Sequence, residues 1–436
     1  MKKFLCCVII VKALMLPGVV QAQEDVKKDE NSISMLEETV VTAGRVEEKK
    51  KEITSNVTVI NEEEIRNSSA TDLGDLLIQK GIGHSHKYPG GLTPVGIRGF
   101  RSETHGIDLE GYVIILLDGH RIATGNASKI MTKNIERVEI IRGPASVQYG
   151  SAAMGGIVNV ITKQGKSKPT FFAEGMLGSF GYLEKSVGFS GKVNMFDFSG
   201  AFDRSKTGDY DTADNIEGNR YFNTGYHRED NHSLNIGAEF MPGNRVGLIY
   251  TNYDADHLGN PDALYQNDLD DYKDSSNRSL DLTYNGRTSE GLLSWKVKYY
   301  EGKDKNKTFD PTSSNPDFVD DGLPHKVTVD HKGTQAQVSF NQDYLLLTTG
   351  YDLMKYKTED DTFSPKSTEY DNPAYFLLAK TRLLSKRLIL SGGLRYDKYE
   401  IEIKKGEGRK EDDKNLSPRF GSALILTDYL KIRANY

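Results

Sequence analysis

Two histidines one residue apart, His84-Ser-His86, and carboxylates gathered at Asp209-Tyr-Asp-Thr-Ala-Asp214 with Glu217 and at Asp268-Leu-Asp-Asp271 are the side chains best suited to chemistry here. Imidazole ligates haem iron and chelated metals, and closely spaced carboxylates can share a calcium ion. Each group also has an ordinary reading. Histidines in polar loops, here His84, His86 and His105, are mostly solvated surface residues. Neither acidic run follows EF-hand spacing, so solvated loops are the stronger reading and calcium at Asp209, Asp211 and Asp214 the alternative. There is no G-x-S-x-G, no H-E-x-x-H and no glycine-rich phosphate loop between strand and helix. The sequence therefore points to no enzyme and to no required cofactor.

The N-terminus carries Lys2 and Lys3, then a mostly apolar run from Phe4 to Leu16, then the small-residue site Val20-Gln-Ala22. This is the pattern of a secretory signal peptide over residues 1–22, too short and too charged for a spanning helix. Cys6 and Cys7 leave with it, and they come too early in the apolar run for lipid attachment. No disulfides are then expected, so a large hydrogen-bonded framework must supply stability. Formal net charge is -6, with 62 acidic residues against 56 Lys and Arg, and no basic cluster is interleaved with stacking aromatics. That balance argues against a nucleic-acid partner.

Three textures follow along the chain. Residues 23–52 are largely charged and polar, the composition of a flexible leader, with a short island of β-formers at Thr39-Val-Val-Thr42. Residues 53–165 mix strands (Val57–Ile60, Tyr112–Leu117, Arg137–Ile141, Ile157–Thr162) with a helix opened by Asn61-Glu-Glu-Glu64 and another over Ser69–Ile78 that ends near Gly81. This is a small α+β domain. From 166 to 436 long period-two segments come in pairs, joined by short turns at Pro242-Gly-Asn244, Arg287–Glu290, Leu383–Lys386 and Thr427-Asp428. The pairs are separated by long polar stretches at Lys206–Arg228, Asp254–Asn277, Gly302–Pro324 and Glu359–Asp371. Short turns on one side and long loops on the other describe a transmembrane antiparallel β-barrel in outer-membrane lipid, with Tyr250, Tyr253, Tyr299 and Tyr300 as interface aromatics. A soluble sandwich would space its turns more evenly.

Three motifs, Glu38-Thr-Val-Val-Thr-Ala43, Val95-Gly-Ile-Arg-Gly-Phe100 and Asn134–Thr162 with its core Ile141-Arg-Gly-Pro144, closely resemble the N-terminal part of TonB-dependent outer-membrane receptors. The resemblance implies a plug domain inside a barrel of about 22 strands. About 13 candidate strands are counted here, so about nine more are expected and the chain reads as part of a longer receptor. It further implies that Glu38, Thr39, Val40, Val41, Thr42 and Ala43 form the box that TonB captures as an added strand. His84, His86, Tyr88, Gly90, Gly91, Gly125 and Asn126 would then lie in plug-apex loops facing ligand, while Arg98 and Arg142 would pair with carboxylates of the barrel wall that are expected on later strands, beyond those counted here. The function implied is energised import of a scarce metal chelate, first a ferric siderophore, with cobalamin and haem behind it. A receptor that only signals, or a passive barrel, is the reading from another class.

Overall fold

The computed structural model describes residues 40–41, 45–105, 111–150, 152–216, 219–261, 270–310, 324–362, 364–405, 408–427 and 430–436, with only the backbone of 40–41, 211–216 and 219–222. The signal segment, most of the leader, and Glu38, Thr39, Thr42 and Ala43 lie outside them.

The small domain is built on a five-stranded sheet: β1 (Asn56–Ile60), β2 (Val113–Leu117), β3 (His120–Arg121), β4 (Ile135–Arg142) and β5 (Gly156–Thr162), in the order β1-β4-β5-β2-β3. Only β5 and β2 pair in parallel; the other pairs are antiparallel. Both faces of β2 are buried, which explains its unbroken Val-Ile-Ile-Leu-Leu run. The helix α1 (Glu62–Arg66) opens with a full capping box, in which Asn61 and Glu64 each accept the other's backbone N–H at 2.9 Å. The second helix, α2 (Leu73–Gln79), begins four residues later than its amphipathic pattern suggests. Asp72 caps it by accepting from Asp75 N, which leaves Ser69–Thr71 outside. Its Leu73, Leu76 and Leu77, spaced to share one helix face, pack on Ile115, Val138, Ile140 and Val158 of the sheet.

The remainder is one antiparallel sheet of 13 strands paired strictly in chain order. They are β6 (Thr170–Leu177), β7 (Leu183–Val193), β8 (Phe196–Thr207), β9 (Tyr226–Met241), β10 (Asn244–Gly259), β11 (Tyr272–Arg287), β12 (Leu293–Phe309), β13 (His325–Gln342), β14 (Leu345–Asp360), β15 (Ser367–Leu383), β16 (Leu388–Lys405), β17 (Lys410–Ile425) and β18 (Lys431–Asn435). One face is exposed and apolar, through Val246, Leu282, Val297, Val338, Leu347, Leu377 and Leu394. The opposite face carries buried Asp, Lys, Arg, Ser and Thr side chains and packs on the small domain. An apolar face outward and a polar face inward suit a sheet bathed in lipid outside and filled with a plug inside.

Two expectations are corrected. Many central strands run 16 to 18 residues, deep into stretches read as loops; polar side chains do not prevent ladder pairing above the apolar band, where water solvates them. The residues between β8 and β9 form a further hairpin, Tyr210–Ile216 with Asn219–Phe222. Of the four interface tyrosines, Tyr250 and Tyr299 do face outward, but Tyr253 and Tyr300 are 2% exposed and pack inward. Strand alternation sends residues an odd number apart to opposite faces.

Candidate functional site

At the end of the sheet that carries the long connections, a cavity of about 410 Å³ opens between the plug and β6–β10. Its plug side is the loop Lys87–Gly91. Tyr88 N donates to Leu92 O at 2.8 Å, and so tight a loop requires the positive φ of Gly90 (71°) and Gly91 (65°). A Cβ on Gly91 would sit 3.0 Å from Leu258 Cδ1. Across the cavity stand Tyr182, Tyr210, Tyr226 and Glu229. Lys87 Nζ reaches Asp72 at 3.0 Å and Asp75 at 3.1 Å. Burial works against the Lys87 ammonium, but the two carboxylates hold its pKa above the ordinary lysine value. Burial also pushes Asp72 up to about 6 even beside that cation.

The expected apex residues divide here. Tyr88, Gly90 and Gly91 line the cavity, and His84 and His86 are exposed beside it, with the His86 ring edge-on to Tyr88 at 4.9 Å. Gly125 and Asn126 do not line this cavity. Asn126 is fully buried; its Oδ1 accepts from Thr93 N (2.9 Å) and Ser128 N (3.3 Å), while Nδ2 donates to Gly91 O (2.8 Å). A Cβ on Gly125 would meet Ser102 Cβ at 2.7 Å. Both hold the apex loops together from behind. His105 is exposed, and its N–H donates to Glu103. Asp209 Oδ1 accepts from Thr224 N and Gly225 N at 3.0 and 2.8 Å, closing the loop ahead of β9; the side chains of Asp211, Asp214 and Asp268 lie outside the described residues.

At the opposite end, under the short turns, the plug is fastened to the wall by buried ion pairs. Arg45 is the hub. Its guanidinium donates to both oxygens of Asp352 on β14 and, through Nε at 2.7 Å, to Gln148 O, and it lies 4.6 Å over both Tyr149 and Phe376. Arg395 Nη1 meets Asp352 Oδ2 at 2.7 Å, and Arg395 Nε meets Asp397 at 3.0 Å. Glu48 pairs with Lys380, and Glu52 with Arg382 at 2.7 Å. Nearer the mouth, Lys129 meets Asp304 at 2.8 Å. His120 Nδ1 lies 3.0 Å from Asp281, off a hydrogen-bonding line, with its ring stacked on Tyr300 at 4.4 Å. Val40–Val41 of the box pairs antiparallel with Glu48–Lys49, so the box strand is tied into this seam.

Arg98 and Arg142, whose wall partners are expected on later strands, make no ion pair among the described residues. Arg98 is exposed at φ 56° with its guanidinium near Gly143, and Arg142 is half-buried where β4 pairs with both β1 and β5. No local signal marks Arg45 or Asp304 in the sequence. Each sits in a charged run that reads as solvated, Arg45-Val-Glu-Glu-Lys and Lys303-Asp-Lys-Asn-Lys.

A plug fastened inside an antiparallel wall, with Val40–Val41 paired to the segment whose Glu48 meets that wall, sets the context for two family matches. Residues 49–157 match the TonB-dependent receptor plug domain, and residues 173–436 match the TonB-dependent receptor-like β-barrel. The chain belongs to the TonB-dependent receptor family. Among curated relatives, a vitamin B12 transporter of Vibrio vulnificus is 32% identical over 204 residues, covering 44% of this chain and 29% of that protein. One from Vibrio cholerae is 30% identical over 179 residues, covering 38% and 28%. The match thus spans less than a third of either relative. Among solved structures, the FrpB iron transporter of Neisseria meningitidis superposes with TM-score 0.71 at 15% identity, covering 88% of this chain and 65% of that one. The copper transporter OprC gives 0.67 at 17%, covering 88% and 64%. At such identities these two show the shared receptor fold. Members of the family are outer-membrane transporters and receptors rather than enzymes.

Proposed function

We propose that this receptor imports a metal chelate across the outer membrane: the chelate binds in the mouth cavity, and TonB pulls on residues 38–43 from the periplasm. The observation that carries this reading is the Arg45 hub, four positions along the chain from Val41, which joins the plug helix α3 (Ser146–Tyr149) to wall residue Asp352 in one buried cluster. A pull on the box reaches Arg45 first. Releasing Asp352 loosens Gln148 and Tyr149 at the same time, so force applied to the tail enters the plug. TonB would receive the box as an added strand, which requires Val40–Val41 to leave Glu48–Lys49.

For the substrate, the mouth itself weighs against the ferric siderophore with which the sequence reading starts. The cavity is lined by Asp72, Asp75 and Glu229 against Lys87 alone, with four tyrosines nearby. Such a lining offers an anionic ferric chelate no unpaired cation, since Lys87 is taken up by Asp72 and Asp75, and its tyrosines can hydrogen-bond a neutral, amide-rich one. A corrinoid fits this chemistry, and the curated relatives named above are vitamin B12 transporters. Uptake of radiolabelled cyanocobalamin and of ferric chelates by cells carrying the receptor, with and without TonB, tests both parts. Accumulation of either that needs TonB supports the transport reading, and the one that accumulates names the chelate. Equal accumulation without TonB would make the barrel passive.

A further inference from the structure

Near the mouth the plug meets β12 through a constellation in which an amine, an amide and a carboxyl are all in mutual contact. Lys129, at the end of the plug turn Ala127–Lys129, donates from Nζ to both oxygens of Asp304 at 2.8 Å and to Asn306 Oδ1 at 3.0 Å. Asn306 Nδ2 in turn donates to Asp304 Oδ1 at 3.0 Å. One carboxyl therefore touches both an amine and the amide nitrogen which that amine would displace, and the amine stands one C=O bond away from the carbon it would attack. From the adjacent strand β11, Ser275 Oγ donates to Asn306 Oδ1 at 2.7 Å, where it can hold negative charge developing on that oxygen. Asn277 Nδ2 and Thr124 Oγ1, at 2.9 and 3.2 Å, fix the second carboxyl oxygen.

The charge count at this point does not close. Asp304 is 0% exposed, and besides Lys129 a second buried lysine, Lys273, interacts with it. Lys273 makes no ion pair among the described residues. Two ammonium groups against one carboxylate leave a surplus of buried charge, which is relieved when an amine gives up its proton. Lys129 can pass its own directly to Asp304, and a neighbouring cation is one of the ways a lysine is made nucleophilic. Turning Lys129 into a neutral amide would leave Asp304 and Lys273 as a single opposite pair.

We propose that the side chains of Lys129 and Asn306 become joined by an amide bond, with Asp304 carrying the protons. Asp304 takes a proton from the Lys129 ammonium, and the freed Nζ lone pair attacks Asn306 Cγ. The Cγ–Nδ2 bond breaks as Asp304 returns that proton to Nδ2. A second proton of Nζ leaves by the same carboxyl, so the products are an Nζ–Cγ amide and one ammonium ion, and no oxidant or other reactant is consumed. A plug bound to β12 at this point cannot be drawn out of the barrel whole, so a pull on residues 38–43 displaces only segments that Lys129 does not anchor.

The bond is read from the chain itself and not from uptake, so its test is separate from that of the transport reading. The receptor purified from outer membranes is digested with trypsin and its peptides are sequenced by tandem mass spectrometry. Cleavage after Lys129 should be blocked, and the peptide spanning 122–133 should carry Asn306-Lys307 as a branch, lighter by one ammonia than the two peptides together. The branch should be lost in Lys129→Arg, which keeps a cation on Asp304, and in Asp304→Asn, which keeps the amine and the amide but removes the proton carrier. Recovery of Ile122–Lys129 and Asn306-Lys307 only as linear peptides from the native chain would overturn the proposal, and a branch that persists in Asp304→Asn would overturn the role given to that carboxyl. The native chain alone decides whether the bond exists, whatever the folding of the variants.

Discussion

The plug meets its wall in two unlike ways. Under the short turns the contact is dense and charged: Arg45, Glu48 and Glu52 are paired with Asp352, Lys380 and Arg382, and backbone carbonyls of Ile53 and Ser55 accept from Lys431 and Arg433. Under the long connections the contact opens into a cavity edged by glycines and tyrosines. Buried ion pairs tolerate only one arrangement, because removing one partner strands the other charge. Glycines and a tyrosine-lined wall leave room for something else. The seam is built to transmit or resist force, and the mouth is built to be filled.

The comparison breaks most completely at the handle. Val41→Pro removes a ladder donor, so cobalamin or ferric-chelate uptake should drop to the level of cells lacking TonB while equilibrium binding of the same probe stays unchanged. Unaltered uptake would sink strand capture. Next comes the hub: Asp352→Ala leaves buried Arg45 without a counter-charge, with Arg395 held by Asp397 alone, and should weaken the seam by about 3–5 kcal/mol. A nitroxide placed at residue 41 should become mobile in that variant without any ligand. An immobile label would mean that the pair does not hold the box.

At the mouth the expected effects are smaller and fall on binding instead. Asn126→Ala leaves Thr93 N–H without its partner and Gly91 C=O with Ser128 Oγ alone, and should cost about 1–3 kcal/mol, read as a lowered denaturation midpoint for the plug. Gly91→Val forces a β-branched residue into positive φ against Leu258, costing about 1–2 kcal/mol, and should weaken probe binding without freeing the box.

The smallest effect is a pH dependence. Asp72 has a folded pKa raised to about 6, so the folded state binds its proton more tightly than the unfolded chain does. Stability from this group is present below the unfolded value of about 4 and is lost as pH rises through about 6. Asp72→Asn keeps the helix cap and should flatten that slope. A difference between native chain and variant that does not change from pH 4.5 to 7 would count against it.

How much of this was legible beforehand varies by region. The plug strands, the capping box at Asn61 and Glu64, and the alternating wall could be read because each is written in residues close together in sequence. The Gly90-Gly91 loop was legible for the same reason. Asn126 was not: an Asn beside a Gly looks like a turn, and only the approach of Thr93 and Gly91 turns it into an internal staple.

Sequence alone determined the alternation of the wall, the two-textured organisation of plug and barrel, and the β-forming island at 39–42, since periodicity and propensity act over a few residues. Tertiary structure alone decided which charges matter. Arg45 and Asp352 are 307 positions apart and each sits in polar surroundings. Their identity as a lock depends on a buried meeting point that no local pattern encodes.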